Sequence, residues 1–80
     1  MKTNGHNILK LGMKVIYRGS WGQDDEPKEA TVEYIDLCEC EHEKYGESVD
    51  RVFVKDIDRC CLTLSDGHWA YGYQITEIVE

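Results

Sequence analysis

The alternation of apolar and polar residues along the chain favours short β-strands over helices. Residues 13–18 alternate between two faces and are bounded by a glycine on each side, which predicts a first strand. Residues 30–35 alternate in the same way and predict a second strand. A period of two residues is typical of a strand with one buried face, whereas no window of about eleven residues carries a helical stripe. We therefore expect little helix.

The middle and the end of the chain have a less regular pattern. Residues 37–42 alternate strictly and could prolong the second strand, and residues 43–46 are typical of a turn. A short strand is predicted over residues 49–54 and a helical turn over residues 55–58. Residues 76–80 are long enough for a very short edge strand.

The clearest local signal is the pair Asp66-Gly67, which separates the apolar runs 60–64 and 69–73. Asp-Gly between alternating runs predicts a β-hairpin with a two-residue loop. In that register Leu64 pairs with Trp69, and directly paired residues share a face. The hairpin should then gather five large side chains on one core-facing wall: Leu62, Leu64, Trp69, Tyr71 and Tyr73.

Short strands, one tight hairpin and almost no helix predict an all-β domain built as a small barrel. The order of these parts resembles an SH3-like barrel of the KOW and Tudor kind, which occurs in many bacterial proteins. The resemblance is carried by residues 12–19 as first strand, 30–32 as second strand and 61–72 as the following hairpin. It implies about five strands and at most one short helical turn, over residues 74–77, before the last strand. The chain departs from the KOW pattern at Ala30, where glycine is preferred, and in its long acidic insertion after Ile35.

The strand pattern and the resemblance also predict the domain organisation. Residues 1–11 are expected to be a flexible N-terminal tail, and residues 12–80 a single SH3-like barrel domain. No apolar run is long enough for a signal peptide or for a membrane span. We therefore expect a cytoplasmic protein that does not enter a membrane, with its four cysteines reduced or bound to metal.

Charge is distributed unevenly around a net value of −7. Between residues 24 and 47 there are ten carboxylates and two lysines, whereas the first 23 residues hold four basic residues and no acid. A field of that sign attracts basic partners and repels phosphate backbones. A surface that merely keeps a small domain in solution is the alternative interpretation.

Aromatic residues near the acidic loops are the best candidates for contact with a partner. Trp21 lies in a glycine-flanked loop beside Asp24, Asp25 and Glu26, away from any strand pattern. The Tudor resemblance implies aromatic rings that hold cations by cation–π attraction. The candidate binding residues are therefore Trp21, Asp24, Asp25, Glu26, Tyr17, Tyr34 and Glu43.

Cys38, Cys40 and His42 form the strongest candidate for a metal site, because they point the same way on a strand and zinc prefers thiolate and imidazole ligands. However, structural zinc sites usually use knuckles in which the two cysteines are further apart in sequence. Buried or partly exposed free thiols are therefore the favoured interpretation, and no cofactor is expected.

Catalytic signatures are weak, so we expect no enzyme. There is no glycine-rich phosphate loop, no Ser-His-Asp spacing and no His-Glu-x-x-His motif. The leading hypothesis is an interaction module that binds a basic protein or peptide as a monomer or weak dimer. The alternative is a nucleic-acid accessory domain of the KOW type, which the net charge opposes and which Lys14, Arg18, Arg51, Lys55 and Arg59 favour.

Overall fold

The computed structural model describes residues 1–19, 26–41 and 43–79. Within these residues the chain forms eight β-strands and two 3-10 turns, and no α-helix. The strands are β1 (Ile8–Lys10), β2 (Lys14–Tyr17), β3 (Lys28–Leu37), β4 (Glu47–Val49), β5 (Arg51–Phe53), β6 (Cys60–Leu64), β7 (Trp69–Tyr71) and β8 (Ile75–Ile78). The all-β prediction is confirmed.

Five of the strands form a continuous antiparallel sheet in the order β7-β6-β3-β2-β8. The ten-residue strand β3 pairs with β2 through its first half and with β6 through its second half. A register shift between Val32 and Tyr34 separates the two halves, as expected where a strand bends from one part of a curved sheet into the next. No ladder joins β7 to β8, both of which are fully described, so the barrel is not closed by hydrogen bonds.

The two 3-10 turns lie close to the places that the pattern indicates. The first covers Val54–Arg59, around the turn predicted at residues 55–58. The second covers Gly72–Gln74 and precedes the last strand, two residues earlier than the resemblance implies. The first turn therefore joins β5 to β6, and the second joins β7 to β8.

The first eleven residues are part of the domain instead of a flexible tail. Strand β1 pairs with β5, and Lys2 bridges to Glu77 on β8. Leu9 is completely buried and belongs to the core. Burial of one leucine contributes about 1.5–3 kcal/mol, which adds to the backbone hydrogen bonds between β1 and β5.

The core lies between the inner faces of the sheet, and its members come from almost every strand. They are Leu9, Val15, Tyr17, Ala30, Val32, Ile35, Val52, Ile57, Cys60, Leu62, Leu64, Ala70, Ile75 and Ile78. The only core side chain among them with a hydroxyl is Tyr17, whose Oη donates a hydrogen bond to Asp66 Oδ2 over 2.5 Å. A buried hydroxyl needs such a partner.

The hairpin between β6 and β7 forms, but its register is one residue away from the predicted one. Thr63 pairs with Trp69 and Leu62 with Ala70, so the loop holds three residues instead of two. Gly67 adopts a φ of 86°, and its N–H donates to Leu64 O over 3.2 Å. Glycine takes this left-handed conformation without steric cost, and it is common at the end of three-residue hairpin loops.

The one-residue difference reverses the faces of β7. Leu62, Leu64 and Ala70 are buried, whereas Trp69 and Tyr71 lie on the outer face. A shift of one residue exchanges the two faces of a strand because side chains alternate. The prediction that Trp69, Tyr71 and Tyr73 form a core wall is therefore wrong.

Candidate functional site

The outer face of β7 and the 3-10 turn that follows it carry three aromatic rings, which we call the outer aromatic row: Trp69, Tyr71 and Tyr73. The centroids of Trp69 and Tyr71 are 5.1 Å apart in an edge-to-face arrangement, with 84° between the planes. Tyr71 and Tyr73 stack at 5.9 Å with 14° between the planes. Such pairs contribute about 0.5–1.5 kcal/mol each beyond the area they bury. The three rings therefore pack against one another on the outer face.

Strands β3 and β6 continue this outer face. Tyr34 pairs with Thr63, which pairs with Trp69 on the next strand. Two residues further along β3, Asp36 pairs with Cys61 on β6. Neighbouring strands are about 4.8 Å apart, so Tyr34 and Trp69 lie about 10 Å apart on the same face. Tyr34 is 60% exposed.

A small cleft of about 170 Å³ opens beside Trp69, and we call it the ammonium cleft. Its lining includes Asp36, Lys44, Tyr45 and Trp69. Lys44 Nζ lies 4.4 Å from the centroid of the Trp69 ring and 5.8 Å from that of Tyr45. Both distances are within the range of cation–π attraction. The cleft therefore already holds an ammonium group against an aromatic ring.

A second depression of about 410 Å³ adjoins the cleft, and we call it the acidic groove. Glu39, Glu43 and Glu47 line it together with Tyr45 and Arg59. Tyr45 is 82% exposed and lines both depressions, so the two form one continuous surface. The sequence pattern missed Tyr45 because it falls in a short segment typical of a turn.

The loop that carries the acidic groove is tied to the sheet by backbone contacts. Cys38 Sγ donates a hydrogen bond to Glu43 O over 3.3 Å, and Arg59 Nε donates to Cys38 O over 3.1 Å. A Cβ on Gly46 would lie 2.3 Å from Leu37 O, so only glycine allows the returning loop to approach β3 this closely. These contacts fix where Lys44 and Tyr45 enter the surface.

The loop after β2 begins at the other end of the outer aromatic row. Arg18 N–H donates to Gln74 O over 3.0 Å, and Gln74 Nε2 donates to Arg18 O over 3.2 Å. Gln74 is buried, and its Oε1 also accepts a hydrogen bond from Tyr71 N–H over 2.8 Å. One amide side chain therefore joins the start of this loop to the turn that carries Tyr73.

Burial disfavours ionisation of three cysteine thiols: Cys38, Cys60 and Cys61. Burial raises the pKa of Cys38, with further contributions from Glu43 and Asp36. Burial also raises the pKa of Cys60 to about 11. For Cys61, burial and the nearby Asp36 carboxylate both raise the pKa. A thiol must ionise to react or to bind a metal. Cys40 is the exposed cysteine of the four.

The candidate metal set is only partly described. Cys38 is buried and donates to backbone oxygens, and Cys40 is exposed. His42 lies outside the described residues. Across residues 1–19, 26–41 and 43–79 there is no group of three or more histidine, cysteine or acidic side chains that could hold a metal ion.

The candidate binding residues separate into three groups. Tyr34 lies on the outer face and Glu43 in the acidic groove, and Glu26 is exposed just before β3. Tyr17 is fully buried in the core, so its ring is not available on the surface. Trp21, Asp24 and Asp25 lie outside the described residues.

Comparisons of the chain with protein-family models, with curated proteins and with solved structures find no match. In the part of the chain that the structure describes, no helix has the length and apolar character needed to cross a membrane. The features of the described surface that suggest a function are the outer aromatic row, the ammonium cleft and the acidic groove.

Proposed function

We propose that the domain is a non-enzymatic interaction module that binds a basic protein or peptide through its acidic loops and the aromatic surface between them. The observation that carries this proposal is the position of the Lys44 ammonium, 4.4 Å from the centre of the Trp69 ring. A ring face that holds one ammonium group offers the same attraction to another. Cation–π contacts contribute about 0.5–1 kcal/mol at exposed sites and about 2 kcal/mol when desolvated.

The charges around the cleft support the same class of partner. Asp36 lines the cleft, and Glu39, Glu43 and Glu47 line the adjoining groove. Complementary charge raises the rate of encounter and selects against partners of the wrong sign. A segment with several lysines or arginines would place one cation in the cleft and others along the groove.

We include the acidic loop after β2 in the proposed surface. It contains Trp21, Asp24, Asp25 and Glu26, and its start is hydrogen-bonded to Gln74 beside the outer aromatic row. Tyr34 adds an exposed ring on the same sheet face. The proposed surface would then combine two acidic segments with exposed aromatic rings.

A calorimetric titration with a short oligolysine peptide tests the proposal. The double variant Glu43→Gln/Glu47→Gln should weaken binding by about 2–30-fold, because each exposed ion pair contributes about 0.2–1 kcal/mol. The matched control Glu29→Gln/Glu33→Gln removes the same charge from exposed positions on β3 outside the groove, and it should have a smaller effect.

Salt dependence provides the second arm of this test. Binding through exposed charges should weaken as ionic strength rises, because salt screens them. An affinity that ignores salt, or a control variant that weakens binding as much as the groove variant, would contradict the proposal.

A second candidate function is contact with nucleic acid, and a separate surface favours it. The outer face of the β1–β5 ribbon pairs Lys10 with Arg51 and Ile8 with Phe53. Phe53 is 57% exposed, and Lys55 Nζ lies 5.7 Å from the centre of its ring. Basic side chains beside an exposed ring are typical of single-strand binding.

Fluorescence anisotropy with labelled single-stranded RNA and DNA at low salt tests this second candidate. Binding that Lys10→Gln/Arg51→Gln weakens would support it. Absence of binding would remove it, as the net charge of −7 leads us to expect.

A further inference from the structure

The ammonium cleft contains a residue of this chain at the place where a ligand cation would bind. Lys44 Nζ faces the Trp69 ring at 4.4 Å, and Asp36 and Tyr45 line the same cleft. Two ammonium groups cannot share one ring face in so small a volume, since like charges repel and the cleft measures only about 170 Å³. An incoming cation must therefore replace Lys44.

We propose that Lys44 is a built-in competitor that covers the Trp69 ring in the free protein and is displaced by a partner with clustered basic residues. This inference rests on the proposed function. Lys44 follows Glu43, whose backbone oxygen accepts the Cys38 thiol, so the chain is anchored where the lysine side chain departs. The long side chain can leave the ring without any change in that anchor.

The strength of the contact suits a competitor that is easily displaced. A cation–π contact at an exposed site shifts an equilibrium by about two- to five-fold. The apparent affinity of a ligand falls by the fraction of molecules in which its site is uncovered. Lys44 therefore lowers affinity by a small factor and does not close the site.

The number of cations on a ligand determines how well it competes with Lys44. A ligand with one cation would exchange one ammonium for another on Trp69 and gain little. A ligand with two or more cations also gains contacts with Glu43 and Glu47 in the acidic groove. Competition by Lys44 would thus select for clustered basic residues over isolated ones.

Three variants separate competition from a general charge effect. Lys44→Gln removes the competitor and one positive charge, and it should tighten binding of an oligolysine peptide by about two- to five-fold in calorimetry. Lys44→Arg keeps the charge and the cation–π contact and should change the affinity little. Lys55→Gln is the matched control, because it removes an equal charge from another lysine over an aromatic ring, Phe53.

Proton NMR of the Lys44 side chain reports the displacement directly. Its methylene protons nearest Nζ should resonate upfield in the free protein, because the Trp69 ring current shields them. Saturating oligolysine should remove that shift. A peptide that binds at the acidic groove while the Lys44 resonances stay upfield would overturn the inference and leave the proposed function standing.

The remaining outcomes also decide the question. Equal tightening by Lys44→Gln and Lys55→Gln would show a net-charge effect and overturn the inference. Weaker binding by Lys44→Gln would show that Lys44 assists the ligand, which also overturns it. Failure of every variant to bind oligolysine at low salt would overturn both this inference and the proposed function.

Discussion

Asp66 makes one hydrogen bond to the core and one within its own hairpin. Its Oδ2 accepts from Tyr17 Oη over 2.5 Å, and its Oδ1 accepts from His68 N–H over 3.0 Å. Desolvation by partial burial raises the pKa of Asp66, but the hydrogen bonds from Tyr17 and His68 lower it, and the net result is a pKa below its ordinary value of 3.8. The ionised carboxylate is therefore favoured by the fold.

Replacement of Tyr17 by phenylalanine tests this contact. Tyr17→Phe should lower the free energy of unfolding by about 0.5–1.5 kcal/mol at neutral pH, the net contribution of one hydrogen bond. Tyr45→Phe removes the same atom from a side chain that is 82% exposed, and its effect should stay within about 0.5 kcal/mol. Urea unfolding measures both, and equal effects would contradict the assignment.

The pH dependence of the same contact has a definite sign. A carboxylate whose pKa is lower in the folded state stabilises the fold above its unfolded pKa, and this contribution is lost as the pH falls through the folded pKa. The difference between the original chain and Tyr17→Phe should therefore be constant above about pH 5 and shrink below pH 3.8. A difference that grows on acidification would have the wrong sign.

Cysteine exposure provides a second test at the residue scale. Cys40 is exposed, whereas Cys38, Cys60 and Cys61 are buried with raised pKa values. A thiol reagent added to the native protein should thus modify one cysteine rapidly and three slowly. Cys40→Ser should abolish the rapid phase, while Cys61→Ser should leave it in place. Zinc that copurifies with the protein and slows Cys40 would instead support the metal-binding alternative.

At the scale of the elements, the β6–β7 hairpin decides which residues face the core. Leu64 is 1% exposed on the inner face, whereas Trp69 lies on the outer face. Leu64→Ala should reduce the free energy of unfolding by about 2–5 kcal/mol, the usual cost of a cavity in a core. Trp69→Leu should cost less, even though it removes a larger side chain. Thermal unfolding compares the two variants, and a larger loss for Trp69→Leu would favour the two-residue loop instead.

The hairpin also shows how far the sequence predicts this molecule. Asp66-Gly67 correctly indicates the turn and both strands, because the left-handed conformation at Gly67 is a local property. The hydrogen bond between this loop and the core joins Asp66 to Tyr17, which are 49 residues apart, so no local pattern contains it. The one-residue error in register then placed the outer aromatic row in the core.

Other parts of the site were predicted to different degrees. The concentration of acids between residues 24 and 47 indicated the acidic groove, and Glu43 lies in it. Lys44 and Tyr45 were missed because their role depends on Trp69, which another strand brings to them. The pairing of β1 with β5 was missed because a three-residue strand has too short a pattern to recognise.

At the scale of the whole molecule, charge and aromatic rings distinguish two surfaces. The acidic groove and ammonium cleft lie at the loop after β3, and the basic face of the β1–β5 ribbon carries Lys10, Arg51 and Phe53. The two surfaces favour opposite classes of partner. The net charge of −7 gives the acidic surface the stronger long-range attraction.

An NMR titration that maps chemical-shift changes onto the chain shows whether a basic peptide binds at the ammonium cleft and the acidic groove. The ¹⁵N-labelled protein would be titrated with oligolysine at low salt, with oligoglutamate as the control peptide. We expect saturable changes at the Trp69 indole N–H and in the backbone from Glu43 to Glu47, with little response to oligoglutamate. Changes confined to the β1–β5 ribbon, or no change with oligolysine, would contradict it.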